Sequence, residues 1–446
     1  MKDVILEQIV VYGVVFFICL ITVFFYLKKK KNETSIVVKK VATAKEEGLF
    51  EPVSLHPYID LNTCIGSAAC IEDCPEKDIL GIANGKATVI QTSNCIGHGA
   101  CFHACPVEAI TLRIGTEKRG VDLPHVNQNF ETNSKGIYIA GELGGMGLIK
   151  NSVEQGQQAI ENMLKNKKSS KENILDVIIV GAGPAGISAS LAAKKHGLSS
   201  LTLEQDSLGG TVYTFPRKKI VMTAPMDLPL YGKVKLFETS KDELLQLWEK
   251  VISSHDLKIL EHTKVEKIIP SENDTFKIIT NKEEEFICNN VLLSIGRRGT
   301  PRKLNIPGED SEKVAYRLIE SERIKNKNII VVGGGDSAIE TVLLLIDANN
   351  VTLSYRNDKF NRLKPKNKLK IQQAIDNKKI NMLFNSNLVS INNNEVLVKF
   401  SNNENVVQIE NDLVYIFAGG ELPTAFLQKA GVEISKRFNY IMKKHK

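Results

Sequence analysis

Aromatic residues are scarce in this chain: they make up 6% of 446 residues, with a single tryptophan, Trp248. The net charge of +7 gathers in lysine runs at residues 28–31, 165–171 and 443–446. No base-stacking platform accompanies those lysines, so nucleic acid is excluded as a partner. They read as solvated or membrane-facing. Cysteine is also sparse, at eight residues, yet six of the eight lie between positions 64 and 105. The other two, Cys19 and Cys288, read as packing residues.

Charge is absent altogether from residues 9–27, a run of 19 residues rich in Val, Phe and Ile. Such a run is long enough to cross a bilayer core as a helix. A cleaved signal peptide is the competing reading. No strong basic region precedes the run, however, and Lys28 to Lys31 stand where a small-residue cleavage site would be. By the positive-inside rule the lysine side stays cytoplasmic, and anionic headgroups can attract it. The expectation is a single-pass protein of the inner (cytoplasmic) membrane, held in the lipid bilayer by this helix, with its body in the cytoplasm. Thiols stay reduced there, which favours metal ligation over disulfides for the clustered cysteines.

Those six cysteines form two copies of one pattern, 31 residues apart: Cys64-Ile-Gly-Ser-Ala-Ala-Cys70-Ile-Glu-Asp-Cys74-Pro75 and Cys95-Ile-Gly-His-Gly-Ala-Cys101-Phe-His-Ala-Cys105-Pro106. Between them Asn84-Gly85 is a hairpin-turn signal flanked by short apolar runs. The pattern resembles the bacterial two-cluster ferredoxin run, in which three cysteines of one motif hold one iron–sulfur cluster and the fourth, before proline, reaches the other. Residue by residue, the resemblance implies one cluster on Cys64, Cys70 and Cys105 and another on Cys95, Cys101 and Cys74. The second cysteine of each family motif is replaced here by Ser67 or His98. A 4Fe-4S cluster then needs Ser67 oxygen, His98 nitrogen or solvent on its fourth iron, whereas a 3Fe-4S cluster needs none. The competing reading is a relic that holds zinc or nothing.

At about 150 residues per domain the length allows three domains, and 43% apolar residues can fill their cores. Asp176 to Val180 is a buried-strand pattern running into Gly181-Ala182-Gly183-Pro184-Ala185-Gly186, then an apolar helix, then a second strand ending at Glu204. Strand, glycine turn, helix and an acid 18 positions past the last glycine make a full dinucleotide-binding unit. A second unit opens at Asn328 and runs through Gly333-Gly334-Gly335-Asp336-Ser337-Ala338 to a strand that ends at Tyr355-Arg356, with no acid. Arg356, with Arg362 or a nearby lysine, suits the 2′-phosphate of NADP, so NADP(H) is expected over NAD(H). Leu208-Gly209-Gly210-Thr211 after the first unit resembles the flavin-side loop of thioredoxin-reductase-like flavoproteins, which assigns FAD to that unit.

Residues 131–142 end in Ile137-Tyr138-Ile139-Ala140-Gly141-Glu142 and resemble the closing motif of the same flavoproteins, where a strand ends in Gly-Asp beside the flavin and a helix follows. In the family this motif lies at the C-terminal end; here it precedes the rest. A circular permutation accounts for both the displaced motif and the missing end, and permutation is structurally cheap when domain termini are close. A chance resemblance in an interface segment is the alternative.

The expected fold is therefore α/β, with two Rossmann-like domains for FAD and NAD(P)H, apparently permuted, behind a transmembrane helix and a small ferredoxin-like α+β domain. The boundaries expected are 1–31 for the anchor, 32–55 for a linker, 56–115 for the iron–sulfur domain and 116–165 for the displaced closing segment. A linker at 166–173, the FAD domain at 174–308, the NAD(P)H domain at 309–418 and a return segment to the FAD domain at 419–446 complete the chain.

Hydride transfer to flavin needs stacking more than acid–base side chains, so no catalytic dyad is expected. Thioredoxin reductases carry Cys-x-x-Cys just before the second unit, where this chain has Val314-Ala315-Tyr316-Arg317-Leu318-Ile319-Glu320. Bacillithiol-disulfide-reductase-like relatives can carry Cys where this chain has Ala185. Disulfide reduction thus lacks its nucleophile. What remains is electron flow among NADPH, FAD and clusters, ending or starting at an electron acceptor or donor protein or a membrane quinone. A small-molecule reductase with a structural ferredoxin domain and a non-catalytic redox sensor are the alternatives. Related flavoproteins are commonly dimers, so a homodimer is possible, and the sequence leaves the oligomeric state open.

Overall fold

The computed structural model describes all residues except 1, 47–48, 53, 77, 96, 146, 166–172, 214–219, 237, 272–273, 298–299, 319, 361–362, 402–405, 422 and 446. It divides into two compact units, Met1–Arg119 with Asn439–Lys446, and Gly120–Phe438.

The first unit opens with one helix, Lys2–Glu46, long and apolar enough to cross a membrane by length and composition. It does not stop at residue 31. Residues 32–46, expected as linker, continue it, because no glycine or proline interrupts the chain from residue 14 to residue 47. Its large apolar side chains from Tyr12 to Leu27 are exposed on every side. Beyond the helix an antiparallel sheet places Ile110–Ile114 between Leu55–Ile59 and Tyr440–Lys443. Ile110, Leu112 and Ile114 alternate inward on that central strand, as one buried face requires. The third strand corrects the expected return of 419–446 as a whole to the flavin side: the last residues occupy the free edge of Ile110–Ile114 in the first unit. A hairpin, Leu80–Ala83 with Lys86–Val89, turns at Asn84 and Gly85, whose φ values of +52° and +74° are those of a primed turn.

The second unit is built on a seven-stranded sheet. Its order is Ile259–Leu260, Ser200–Leu203, Leu175–Val180, Glu285–Leu293, Thr275–Thr280 and Val265–Ser271, with Ile137–Ile139 also paired to Glu285–Leu293. The end of Glu285–Leu293 runs parallel to both Ile137–Ile139 and Leu175–Val180. Ile137, Ile139, Ile178, Val291 and Leu293 fill its core, as the continuous apolar runs of a sheet covered on both faces demand. Residues 427, 430 and 432 return to that same core, and Ile434–Arg437 pairs with Val121–Pro124.

A second, parallel sheet runs Val314–Ala315, Leu413–Ile416, Asn328–Val332, Asn350–Ser354, Asn381–Leu383. An antiparallel meander, Ser386–Ile391, Glu395–Phe400 and Val406–Glu410, follows it. The second unit is thus α/β, and the first is a small α+β unit behind its long helix.

Candidate functional site

The two cysteine copies share a backbone as well as a sequence. Gly66 and Gly97 have φ of +70° and +76°, Ala68 and Gly99 of +64° and +76°, and a one-turn helix follows each, Ala69–Glu72 and Ala100–Ala104. At Gly66 a Cβ would sit 2.0 Å from the Gly85 carbonyl oxygen, so glycine is required there by space as well as by φ.

This backbone brings Cys64, Cys70 and Cys105 to one cavity, shared with Ser67 and walled by Ile59, Val107 and Ile110. The thiols nearest Cys70 electrostatically are Cys105 and then Cys64, ahead of Cys74. Those nearest Cys101 are Cys95 and then Cys74, ahead of Cys70. The last cysteine of each copy, Cys74 or Cys105, therefore lies with the other copy's pair.

Burial pushes Cys70 and Cys95 up to about 11 and Cys101 up to about 12, with neighbouring thiols adding to the shift. Such thiols give up their protons to a bound cation. Backbone N–H groups of Ala87, Gly97 and Ala109 donate to the sulfurs of Cys64, Cys95 and Cys105 at 3.4, 3.4 and 3.3 Å. Among the described residues no three His, Cys, Asp or Glu side chains converge on a point fit for a single ion. Thiols ringing a cavity fit a polynuclear iron–sulfur cluster, in which each thiolate binds a different iron.

His98 and Ser67 differ. His98 Nδ1 accepts the Ala100 N–H at 3.0 Å. A neutral imidazole accepting there carries its proton on Nε2, and burial lowers its pKa toward that neutral form. Neither nitrogen has a free lone pair in this arrangement, so iron ligation by His98 requires the ring to turn or Nε2 to give up its proton. Ser67 is exposed at the mouth of the Cys64 cavity and needs no such change.

In the second unit the first glycine turn joins Leu175–Val180 to the helix Pro184–Lys195. Gly181 has φ +103° and a Cβ there would meet Ser294 O at 2.8 Å; at Gly186 it would meet Gly181 O at 1.9 Å. Gly183 alone of the three has nothing within 4 Å. That open position, at the N-terminus of a helix led by Pro184 and Ala185, is where a phosphate can reach the backbone. Glu204 is buried at the end of the neighbouring strand, and its two carboxylate oxygens accept N–H bonds from Ala182 at 2.7 Å and Asp206 at 3.0 Å. Burial raises its pKa against those bonds. The Leu208–Thr211 loop lies across this turn: Gly209 N–H bonds Ala182 O at 3.1 Å, a Cβ on Gly210 would lie 3.2 Å from Gly183 Cα, and Thr211 is exposed.

Gly141 ends the strand Ile137–Ile139 at the same place. Its N–H donates to Gln155 Oε1 at 2.8 Å, and a Cβ on it would stand 3.2 Å from Ala185 Cβ. Glu142, half-buried, begins the turn Glu142–Gly144. The helix Ile149–Leu164 then packs so closely on Pro184–Lys195 that a Cβ on Gly156 would lie 2.1 Å from Ala185 O.

The second glycine turn repeats the pattern. Gly333 has φ +136°, Gly335 has nothing within 4 Å of a Cβ, and Ala338 is buried in the helix Asp336–Leu345 behind them. Ser337 is exposed in the first turn of that helix. Asp336 has a task of its own: its Oδ1 accepts the Lys364 N–H at 3.0 Å and Asn367 Nδ2 at 2.7 Å, tying this turn to the helix Pro365–Asp376. Arg356 is exposed just past Asn350–Ser354, and Arg362 lies outside the described residues. The thiol chemistry of this unit is limited to Cys288, fully buried mid-strand and pushed up to about 12 by burial.

Two features escape a reading of motifs. Lys86 Nζ donates to the Cys64 carbonyl at 2.5 Å, and the C-terminal His445 stacks on Phe102 beside Cys101. Both depend on chain ends or hairpins that meet only in the fold.

Residues 56–106 match the 4Fe-4S dicluster domain. The bacilliredoxin reductase of Bacillus subtilis is 27% identical over 58% of this chain and 81% of its own length. The ferredoxin–NADP reductase of Ignicoccus hospitalis is 30% identical over 42% of this chain, which spans 57% of that protein. The bacillithiol disulfide reductase of Staphylococcus aureus shares the fold, with a TM-score of 0.52 at 24% identity over 60% of this chain and 85% of that structure. Residues 178–445, more than half of the chain, match pyridine nucleotide-disulphide oxidoreductases, and the chain belongs to that family.

Proposed function

We propose that this chain is a membrane-anchored flavoprotein oxidoreductase that moves electrons between NADPH, FAD and iron–sulfur clusters, to or from a one-electron carrier or a quinone-type acceptor. The observation that carries the reading is the crossed set of six thiols in a chain that also holds two glycine turns of dinucleotide-binding form. FAD supplies the step from two-electron to one-electron chemistry, because a flavin accepts a hydride and releases electrons singly. The residues that would hold it are Gly181, Gly183, Gly186, Glu204 and the Gly209–Thr211 loop, with Gly141 and Glu142 closing the site. Gly333, Gly335, Ser337, Ala338 and Arg356 would hold NADPH, and relatives named ferredoxin–NADP reductase accord with that choice. The clusters would rest on Cys64, Cys70 and Cys105 and on Cys95, Cys101 and Cys74.

A circular permutation of the flavin domain is part of this reading. The parallel pairing of Ile137–Ile139 with Glu285–Leu293 supports it, as does the contact of Gly141 with Ala185. The anchor reading is supported by the apolar helix exposed all round, a pattern that water does not tolerate. Absence of a cysteine at Ala185 and in 314–320 argues against disulfide reduction.

An anaerobic NADPH titration, followed by visible absorption and low-temperature EPR on the same samples, tests the proposal. Flavin bleaching followed by cluster signals is the expected result. Bleaching without an iron signal in iron-replete protein would sink the route and favour a small-molecule reductase or a sensor.

A further inference from the structure

The helix Lys2–Glu46 is docked on the iron–sulfur unit by one stripe. Beyond Leu27 the covered positions are Thr34, Val37, Val41 and Ala44, spaced by three and four residues on a single face. Thr34 Oγ1 accepts the Asn84 N–H at 3.2 Å, and Lys40 Nζ pairs with Asp78 Oδ1 at 2.5 Å. Val37 Cγ2 lies 2.8 Å from where a Cβ on Gly81 would be. The stripe thus grips the hairpin, and the hairpin tip in turn grips the first cysteine loop through the Gly85–Gly66 contact and the Lys86 bond to Cys64.

The second cysteine loop meets the chain elsewhere. Ser93 N–H bonds Leu49 O at 2.9 Å, and Leu49 N–H bonds Ala44 O at 2.8 Å, at the far end of the helix. Thr34 and Ala44 are ten residues apart, or about 15 Å along the axis. If residues 9–27 span the bilayer, Thr34 stands only about 10 Å past Leu27. Leu61 and Ile65, flanking Cys64, are 56% and 63% exposed and give the first site an apolar rim.

We propose that the Cys64, Cys70 and Cys105 site is the bilayer-facing one, and that it exchanges electrons with a quinone-class carrier dissolved in the membrane. The inference rests on the anchored electron-transfer reading above. The overall reaction balances as NADPH, one proton and a quinone giving NADP⁺ and the quinol: the nicotinamide loses two electrons, and the quinone gains two electrons and two protons.

The test uses the full-length protein with flavin and clusters in phosphatidylcholine vesicles containing a decyl-substituted benzoquinone. Nitroxide labels on Asn84→Cys and, separately, Ser93→Cys report depth through relaxation by a nickel-chelating lipid. The expected result is stronger relaxation at position 84 than at 93, together with NADPH-driven quinone reduction that is lost when residues 1–31 are deleted while NADPH still develops the EPR signals. Equal or reversed relaxation would overturn the order of the sites. Anchored protein with NADPH-reducible clusters that leaves the quinone oxidised would overturn the choice of partner. Protein that does not float with vesicles would remove the anchor, and clusters silent to NADPH would remove the electron route; each takes this inference with it and is told apart by its own readout.

Discussion

The imidazole of His445 lies flat on the ring of Phe102, with centroids 3.7 Å apart and planes 6° apart. Phe102 follows Cys101 directly and is buried, and Lys443 Nζ stands 5.1 Å from the same ring centroid. His445 Nε2 is buried without a hydrogen-bond partner among the described residues. Stacking, together with the edge pairing of Tyr440–Lys443, therefore fixes the tail beside the second cysteine helix. His445→Ala should lose about 1 kcal/mol of local stability, read as roughly fivefold faster amide exchange over residues 100–104. His445→Phe should restore most of it. Unchanged exchange in the alanine variant would show that the stack holds nothing.

Two glycines three residues apart should fail in opposite ways. A methyl group on Gly186 would overlap Gly181 O, whereas one on Gly183 would meet no atom. Gly186→Ala should cost about 1–3 kcal/mol by overpacking and lower the melting temperature of the second unit. Gly183→Ala should fold normally yet purify with little flavin, because its methyl group fills the space a phosphate needs. A Gly183→Ala protein with full flavin content would remove this turn from the flavin site.

Much of this was legible in the sequence because it is local. Strand, glycine turn and helix follow one another at both fingerprints, and Asn84-Gly85 makes the primed turn its type requires. The continuation of the N-terminal helix to Glu46 was not legible, because Thr34, Val37, Val41 and Ala44 form a sparse stripe whose partner is a hairpin met at Gly81 and Asn84, far along the chain. Nor was the end of the chain: Tyr440–Lys443 pairs with Ile114 to Leu112 across more than 300 residues, and nothing in Tyr-Ile-Met-Lys names that partner. At Asp336 the motif was visible but the side chain's bonds to Lys364 and Asn367 were not, since they join two helices.

Glu309 should make stability depend on pH in a defined sense. Burial opposes its charge, but N–H groups of Leu304, Asn305 and Ile306 and the Tyr316 hydroxyl all donate to it, and together they hold its carboxyl below the usual value. A depressed carboxyl contributes stability above its unfolded pKa and loses it as pH falls through the folded one. Glu309→Gln should therefore cost about 1.5–3 kcal/mol at neutral pH, and the difference should shrink below about pH 4.5. Urea unfolding of both proteins across that range measures it. A gap that stays constant with pH would refute the role assigned to the charge.

Arg356 is exposed at the end of its strand, where an acid would pair with a ribose hydroxyl. A guanidinium there favours a phosphate instead. Arg356→Ala should raise the KM for NADPH about tenfold or more, the loss of one charge-assisted contact, with the KM for NADH nearly unchanged. Equal effects on both would mean that Arg356 does not read the 2′-phosphate.

Cys101 and Cys105 are four residues apart, yet only Cys105 lines the cavity of Cys64 and Cys70. The helix Ala100–Ala104 ends at Cys105, whose backbone is extended with φ −73° and ψ 112°. The turn carries its sulfur to the cavity of Cys64 and Cys70, where the Ala109 N–H meets it. By the same logic Cys74 goes to Cys95 and Cys101. In protein reduced chemically, so that electron delivery is not at issue, Cys105→Ser should therefore alter the same EPR signal as Cys70→Ser. Cys74→Ser should alter the signal that Cys101→Ser alters. Serine can still offer oxygen to iron, so a shifted signal counts equally with a lost one. Should Cys105→Ser instead follow Cys101→Ser, each copy would hold its own cluster, and the crossed arrangement would be wrong.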